Sequence, residues 1–397
     1  MSTRIARART GASERRTIAA VTTARSDYGI LRPVLRAIAA DPALRLQLVV
    51  GGAHLDPRYG ETVTDIEADG FAIEARVPVA LDSDASDAVA TATAAALTGF
   101  TRALRTLAPD LLLLLGDRFE THAAAFAALP LGIPVAHIGG GESTEGAIDD
   151  ALRHSITKLS HVHFVSTETY RRRLVRMGEE PWRVRRTGSP ALDTLRDTTV
   201  LSREKLATEI GIPLDPSPLL VTFHPVTLEL DRSGAHLVAL LEAVDKVRRP
   251  AVFTYPGADP GSRAVIEEIE RYADTRPDVF VCRHLGTRWY VSLMRHAAAM
   301  VGNSSSGIME APSLKLPVVN VGSRQAGRVR GANVIDVAPT RDAIVRGIRR
   351  ALSPSFRAGL RASGNPYGDG RAAARIVPTL GTVPLGEALL RKRFHDG

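Results

Sequence analysis

At 397 residues the chain exceeds what one hydrophobic core comfortably supports, so two domains are expected. An apolar content of 44% beside 24% charged residues excludes a disordered chain, and no apolar run approaches the length that crosses a bilayer. The net charge of +8 does not point to nucleic acid, because aromatic residues are only 5% and no RNA-recognition signature is present.

Half of that excess lies in residues 1–16, where Arg4, Arg7, Arg9, Arg15 and Arg16 face Glu14 alone. This stretch reads as a disordered basic tail without the apolar segment of a secretory signal. A single cysteine, Cys282, permits no intrachain disulfide and fits a reducing, cytoplasmic compartment. Lysine occurs five times, so nearly all the basic residues are arginine, and Arg171, Arg172 and Arg173 read as a solvated helix face.

From residue 17 the pattern is strand, turn and helix, repeated. TIAAVTT, LRLQLVVGG, FAIEARV, DLLLLLGD, PVAHIGG and HVHFVST are short apolar runs, separated by helical stretches such as YGILRPVLRAIAA and residues 86–107. Residues 188–217 are turn-rich and charged, and the alternation resumes with LLVTFHP, AVFTYPG, DVFVCRH, AAMVGNSSSG and LPVVNVG. The reading is α/β: two similar domains, 17–192 and 200–375, each a parallel sheet covered on both faces, facing each other across a central cleft. Residues 376–397 could be a tail or a helix.

Right-handed crossovers place the strand ends on one sheet edge, where ligands bind, and the chemistry-bearing residues cluster at such ends. In the first loop Arg25 is suited to clamp a phosphate, unless Asp27 merely caps the helix and Arg25 lies in solvent. Asp117 and Arg118 follow the leucine run. Glu142 follows three glycines, and a helix then carries Asp149, Asp150, Arg153, His154, Lys158 and His161. Spacing of four pairs Asp149 with Arg153 and Asp150 with His154. Crowded carboxylates in a partly dry pocket raise one another's pKa and provide an acid or base; the bland alternative is that Asp117 and Asp149 are helix caps.

In the second half His224 ends a strand, although a lone histidine there is often structural. Ser304, Ser305 and Ser306 lie between glycines at a helix start, a seat for a diphosphate with Glu310 one turn on and Arg324 and Arg328 downstream. His161 and His163 lack a third ligand at useful spacing, so no metal site is expected. Neither a dinucleotide fingerprint nor a Walker sequence is present, and no cofactor is expected.

Together ARSDYG, GDRFE, HIGGGESTEGAIDDALRHSITKLSH, TGSPALD, FHPVT, GNSSSGIMEAPSLKLPVVN, GSRQAGRVRGANVIDV and SGNPYG, spread from Val21 to Tyr367, resemble the hydrolysing UDP-N-acetylglucosamine 2-epimerases of bacterial sialic-acid capsule synthesis. The resemblance implies two Rossmann-like domains of glycosyltransferase-B type, with UDP held mainly by the second. Asp117, Glu142 and Asp149 would be the acid–base carboxylates and His224 the cleft histidine. Ser304 and Ser305 would contact the diphosphate, Glu310 the ribose, and Arg25 the phosphates. Two positions depart from the family pattern: Gly139, where some members carry Glu, and Thr23, where the first loop usually has glycine.

The reaction implied is UDP-N-acetylglucosamine and water to N-acetylmannosamine and UDP, through elimination to 2-acetamidoglucal and addition of water. The alternatives are the same reaction on UDP-2,4-diacetamido-2,4,6-trideoxyglucose, or a glycosyltransferase on the same fold. The expected partner is a UDP-sugar, with neither nucleic acid nor membrane, and the expected assembly is a homodimer or homotetramer.

Overall fold

Five successive leucines at 111–115 form a stable strand only where both faces of the sheet are covered. Alternate residues go to opposite faces here. Leu111, Leu113 and Leu115 pack with Ile18, Ala20 and the apolar side of the helix Arg25–Ala40. Leu112 and Leu114 pack with Ala19, Val21 and residues of the helices Ser86–Leu107 and Phe119–Ala128.

The structure, a computed structural model, describes residues 15–79, 86–144, 148–226, 229–256, 261–283 and 285–397. The chain folds as two units, one of Met1–Glu142, Ile148–Thr194 and Gly370–Gly397, the other of Ser143–Ala147 and Leu195–Asp369. The first contains strands β1 (Arg16–Thr22), β2 (Leu44–Gly51), β3 (Ile73–Val77), β4 (Leu111–Leu115), β5 (Val135–Ile138), β6 (Val162–Val165) and β7 (Val184–Arg186). They form one parallel sheet in the order β3-β2-β1-β4-β5-β6-β7. The second contains β8 (Leu219–Thr222), β9 (Ala251–Thr254), β10 (Val279–Cys282), β11 (Ala299–Gly302), β12 (Val318–Val321) and β13 (Val334–Val337), also parallel, in the order β10-β9-β8-β11-β12-β13.

Both units are therefore doubly wound, Rossmann-like α/β folds. In each, the strand order reverses beside the first strand, and the loops that diverge there leave a crevice at the sheet's C-terminal edge. The reversal falls between β1 and β4 in one unit and between β8 and β11 in the other.

The core of the second unit repeats the logic of the first: Leu219, Val221, Phe253, Val301 and Val319 pack with Leu237, Leu240, Val265 and Ile344 from flanking helices. Gly302 is required by this arrangement. It pairs with Thr222 in the sheet at φ +132°, and a side chain there would run into the Thr222 carbonyl oxygen.

The structure differs from the sequence expectation in several places. Arg16 is not tail: it opens β1, and its guanidinium donates to the carbonyls of Leu380 (2.6 Å) and Val383 (3.0 Å). The rest of the expected tail, residues 1–14, lies outside the described residues. β7 and β13 were not foreseen, being short sheet edges with partly exposed residues. The turn-rich stretch 188–217 contains two helices, Ala191–Asp197 and Arg203–Ile210. The helix Ile148–Leu159 stops before His161, whose backbone N–H already bonds Val135 ahead of β6.

The C-terminal segment, open in sequence between tail and helix, forms the helices Ala372–Thr382 and Glu387–Leu390. Ile376, Val377 and Leu380 enter the first unit's core, and the Asp193 carboxylate accepts from the N–H groups of Ala372 and Ala373 at the helix start. Among the described residues no helix is long and apolar enough to cross a membrane.

Candidate active site

In the first unit the loop after β4 turns at Gly116, whose carbonyl accepts from His137 Nε2 at 2.8 Å. Burial holds His137 neutral, down to about 3. This bond aims Asp117 at the helix Ile148–Leu159, where its carboxylate pairs with Arg153. The Arg153 side chain is only 3% exposed and Asp117 25%. The same guanidinium donates to the Glu142 carbonyl (3.0 Å) and to Asp150 Oδ1 (3.1 Å), while Asp150 Oδ2 lies 3.4 Å from His154 Nε2. A planar fork of fixed charge thus ties the post-β4 loop, the glycine loop and the helix to one point. Arg173 braces that glycine loop by donating to the Gly141 carbonyl at 2.6 Å, so it is more than a solvated residue of its helix.

Arg118 turns the other way. It makes two bonds to Glu120 (3.2 and 3.0 Å), a carboxylate almost without solvent contact, and it faces Asp27 and Asp149. The helix after β1 begins at Arg25, so Arg25, Ser26 and Asp27 form its first turn instead of the connecting loop expected from sequence. Arg25 is half-exposed and lies 3.8 Å from Asp65. Asp27 accepts from the hydroxyls of Thr23 (3.2 Å) and Ser26 (3.4 Å). Burial pushes the Asp27 carboxyl up to about 7; Arg118 opposes this, and the negative charges of Asp117 and Glu120 add to it.

Behind this loop His54 is bonded through Nε2 to Thr22 Oγ1 (3.0 Å) and through Nδ1 to Thr62 Oγ1 (2.7 Å), and burial lowers it to about 4. The sequence reading gave no functional role to Asp27 beyond a cap, and none to Glu120, His54 or His137. The available signal was that the first loop and GDRFE end neighbouring strands of a doubly wound sheet.

In the second unit the loops after β8 and β11 are locked together. Asn303, almost without solvent contact, accepts from the His224 backbone N–H through Oδ1 (2.7 Å) and donates to the His224 carbonyl through Nδ2 (2.8 Å). The Asn303 carbonyl in turn accepts from Arg324 (3.2 Å) and Gln325 (2.8 Å). Ser304 caps the helix Ser305–Met309 through a 3.4 Å bond from the Ser306 N–H. That helix is only five residues long, so its dipole is small and the local N–H groups and hydroxyls are the main donors at the turn.

Tyr290, from the helix Gly286–His296, was missed in sequence; burial pushes its hydroxyl up to about 12, with the nearby hydroxyls of Ser306, Ser304 and Thr222 acting against the shift. Burial also raises the Glu310 carboxyl, with the Ser306 hydroxyl acting against the shift. Arg328 lies 3.6 Å from the Met309 sulfur.

An acid–arginine cluster lies at one switch point and a hydroxyl-rich turn at the other. The family model for UDP-N-acetylglucosamine 2-epimerase matches residues 36–381. The chain belongs to that family. A relative from Legionella pneumophila subsp. pneumophila, UDP-N,N'-diacetylbacillosamine 2-epimerase (hydrolyzing), is 40% identical over 378 residues, covering 95% of this chain and 98% of that one. The UDP-N-acetylglucosamine 2-epimerase of Neisseria meningitidis serogroup B is 31% identical, with 96% and 98% covered. The crystal structure of UDP-GlcNAc 2-epimerase from Neisseria meningitidis bound to UDP-GlcNAc matches the fold with a TM-score of 0.79 over 92% of this chain and 99% of that one, at 20% identity.

This 2-epimerase family member thus has the glycosyltransferase-B-like fold that its sequence implies, and the glycosyltransferase alternative loses its ground.

Proposed function

We propose that the chain is a hydrolysing 2-epimerase of a UDP-2,4-diacetamido-2,4,6-trideoxyhexose, releasing UDP and the free 2-epimeric sugar. The observation that carries the choice of sugar is the 40% identity, over nearly the full length of both chains, to the diacetylbacillosamine enzyme, against 31% to the N-acetylglucosamine enzyme. Asp117, Glu142 and Asp149 act on protons. Arg153, bound to Asp117 and to the Glu142 carbonyl, holds two of these residues in register and does not itself exchange a proton. In the second unit Ser304, Ser305, Ser306 and the Asn303-bound Arg324 offer donors to a diphosphate, Arg328 adds charge, Glu310 accepts from ribose, and His224 stands at the end of the neighbouring strand.

The C2 hydrogen of the sugar is not adjacent to a carbonyl and is not acidic at rest. As the C1–O bond to the diphosphate lengthens, positive character at C1 makes it so. A carboxylate then takes the hydrogen, the C–H electron pair becomes the C1–C2 double bond, and UDP leaves. Addition of water at C1 with protonation of C2 from the opposite face completes the epimerisation.

The second reading, UDP-N-acetylglucosamine to N-acetylmannosamine, is favoured by the Neisseria relative. Incubating the protein with each UDP-sugar in heavy water and following products by NMR separates the readings. The diacetamido sugar is expected to turn over with kcat/KM at least about tenfold higher, with deuterium at C2 of the product. The reverse preference would transfer the assignment to N-acetylglucosamine, and retained C2 hydrogen would reject the elimination.

A further inference from the structure

The first unit's site brings Asp117, Glu120 and Arg118 around the Asp27 carboxyl, while Arg118 faces Glu120, Asp27 and Asp149. Asp27, Asp117, Arg118 and Glu120 come from the loops and helix starts after β1 and β4, adjacent strands whose register pairs Ile18 with Leu111 and Ala20 with Leu113. Glu120 takes Arg118 with two hydrogen bonds, and Asp117 takes Arg153. Asp27 receives neither guanidinium. Its direct partners are two hydroxyls, Thr23 Oγ1 at 3.2 Å and Ser26 Oγ at 3.4 Å.

A hydroxyl serves a neutral carboxyl as well as a charged one, since it can either donate or accept. A third negative charge beside two committed carboxylates, with one guanidinium already engaged, is the least favourable ionisation in the cluster. The first turn of the helix Arg25–Ala40 opposes this by favouring an anion.

From this arrangement, and resting on the hydrolysing 2-epimerase reading above, we infer that Asp27 enters the reaction as a carboxylic acid and is the group that returns a proton to C2. The upward displacement of its pKa to about 7 agrees with the geometry. Arg25 is beside Asp65, Asp149 faces Arg118 from the helix Ile148–Leu159, and His54 is held neutral behind the loop.

The step balances. In elimination another carboxylate of the site takes the C2 hydrogen as a proton, UDP departs with the C1–O electron pair, and that carboxyl then gives its proton to the departing diphosphate or to solvent. In hydration the Asp27 O–H bond breaks and its proton goes to C2 on the electron pair of the double bond. Water oxygen bonds to C1, and the proton that water sheds restores Asp27. Asp27 therefore acts in the second half of the reaction and leaves the first half intact.

Asp27→Asn keeps the shape of the protonated acid and removes the proton. With a UDP-sugar that the wild type converts, the variant is expected to release UDP and accumulate the unsaturated sugar, seen by NMR. Formation of the free 2-epimer should fall by about 100-fold or more. Free 2-epimer at the wild-type rate, or loss of UDP release together with product in a variant whose circular dichroism and UDP affinity are unchanged, would overturn the assignment.

A measurement on the wild type covers the case of a misfolded variant. The 13C-carboxyl signal of Asp27 should titrate with a midpoint near 7, and a midpoint below about 5 would overturn the inference. A wild type that converts neither UDP-sugar would instead remove the functional reading on which the inference stands.

Discussion

Asp117 and Arg153 are 36 residues apart and form an ion pair whose guanidinium is 3% exposed and whose carboxylate is 25% exposed. The sequence spacing paired this arginine with Asp149, four residues earlier on the same helix. Instead it lies inside the first unit, where Asp117, Asp150 and the Glu142 carbonyl satisfy it.

Arg153→Met should therefore cost on the order of 3 kcal/mol of stability, since it leaves Asp117 without its buried counter-charge. Arg153→Lys should recover only part of this, because an ammonium cannot span the carboxylates and the carbonyl in one plane. Chemical denaturation of both variants checks the order. A lysine variant as stable as the wild type would show that charge alone matters at this position.

Asp117→Asn and Glu142→Gln are expected to bind UDP within a few-fold of the wild type and to lose turnover by about 10²–10⁴. Calorimetric titration with UDP and single-turnover NMR give the two numbers independently. Wild-type turnover in either variant would remove that carboxylate from the proton transfers.

Asn303→Ala removes both bonds that hold the His224 backbone and leaves its N–H and carbonyl in a partly buried place. The expected effect is a loss of about 1–3 kcal/mol in stability with weakened UDP binding. Asn303→Asp keeps the acceptor and loses the donor, so it should fall between Ala and wild type.

His54 contributes to the pH dependence of stability with a definite sign. Its folded pKa of about 4 lies below the ordinary 6.5, so between these values the unfolded chain binds the proton and the folded chain does not. Stability should rise with pH through this window, reach its full value above about 6.5, and fall on acidification by an amount on the order of 3 kcal/mol from this residue. His161, also lowered to about 4, adds to the same slope. His54→Gln, which does not titrate there, should flatten the rise in Tm between pH 4 and 6.5; an unchanged slope would show that His54 is not the neutral buried group described.

The alternation of apolar runs and helices was sufficient for two parallel-sheet units, because strands buried on both faces must be almost wholly apolar and cannot hide in a sequence. The two strands that escaped, Val184–Arg186 and Val334–Val337, are sheet edges, where half-exposed and charged residues erase that signature. Motifs likewise singled out Asp117, Glu142 and the serine turn as candidates, since glycine, serine and acid at a strand end are local features. Which carboxylate meets which arginine was a different matter. The approach of Asp27 to Arg118 depends on β1 lying next to β4, with β2, β3 and two long helices between them in the chain. Likewise Asn303 reaches His224 across 79 residues because β8 and β11 are neighbours. Parallel strands join only through long crossovers, so contacts at the switch point are non-local by construction, and the charge balance that leaves a proton on Asp27 exists only after the sheet has assembled.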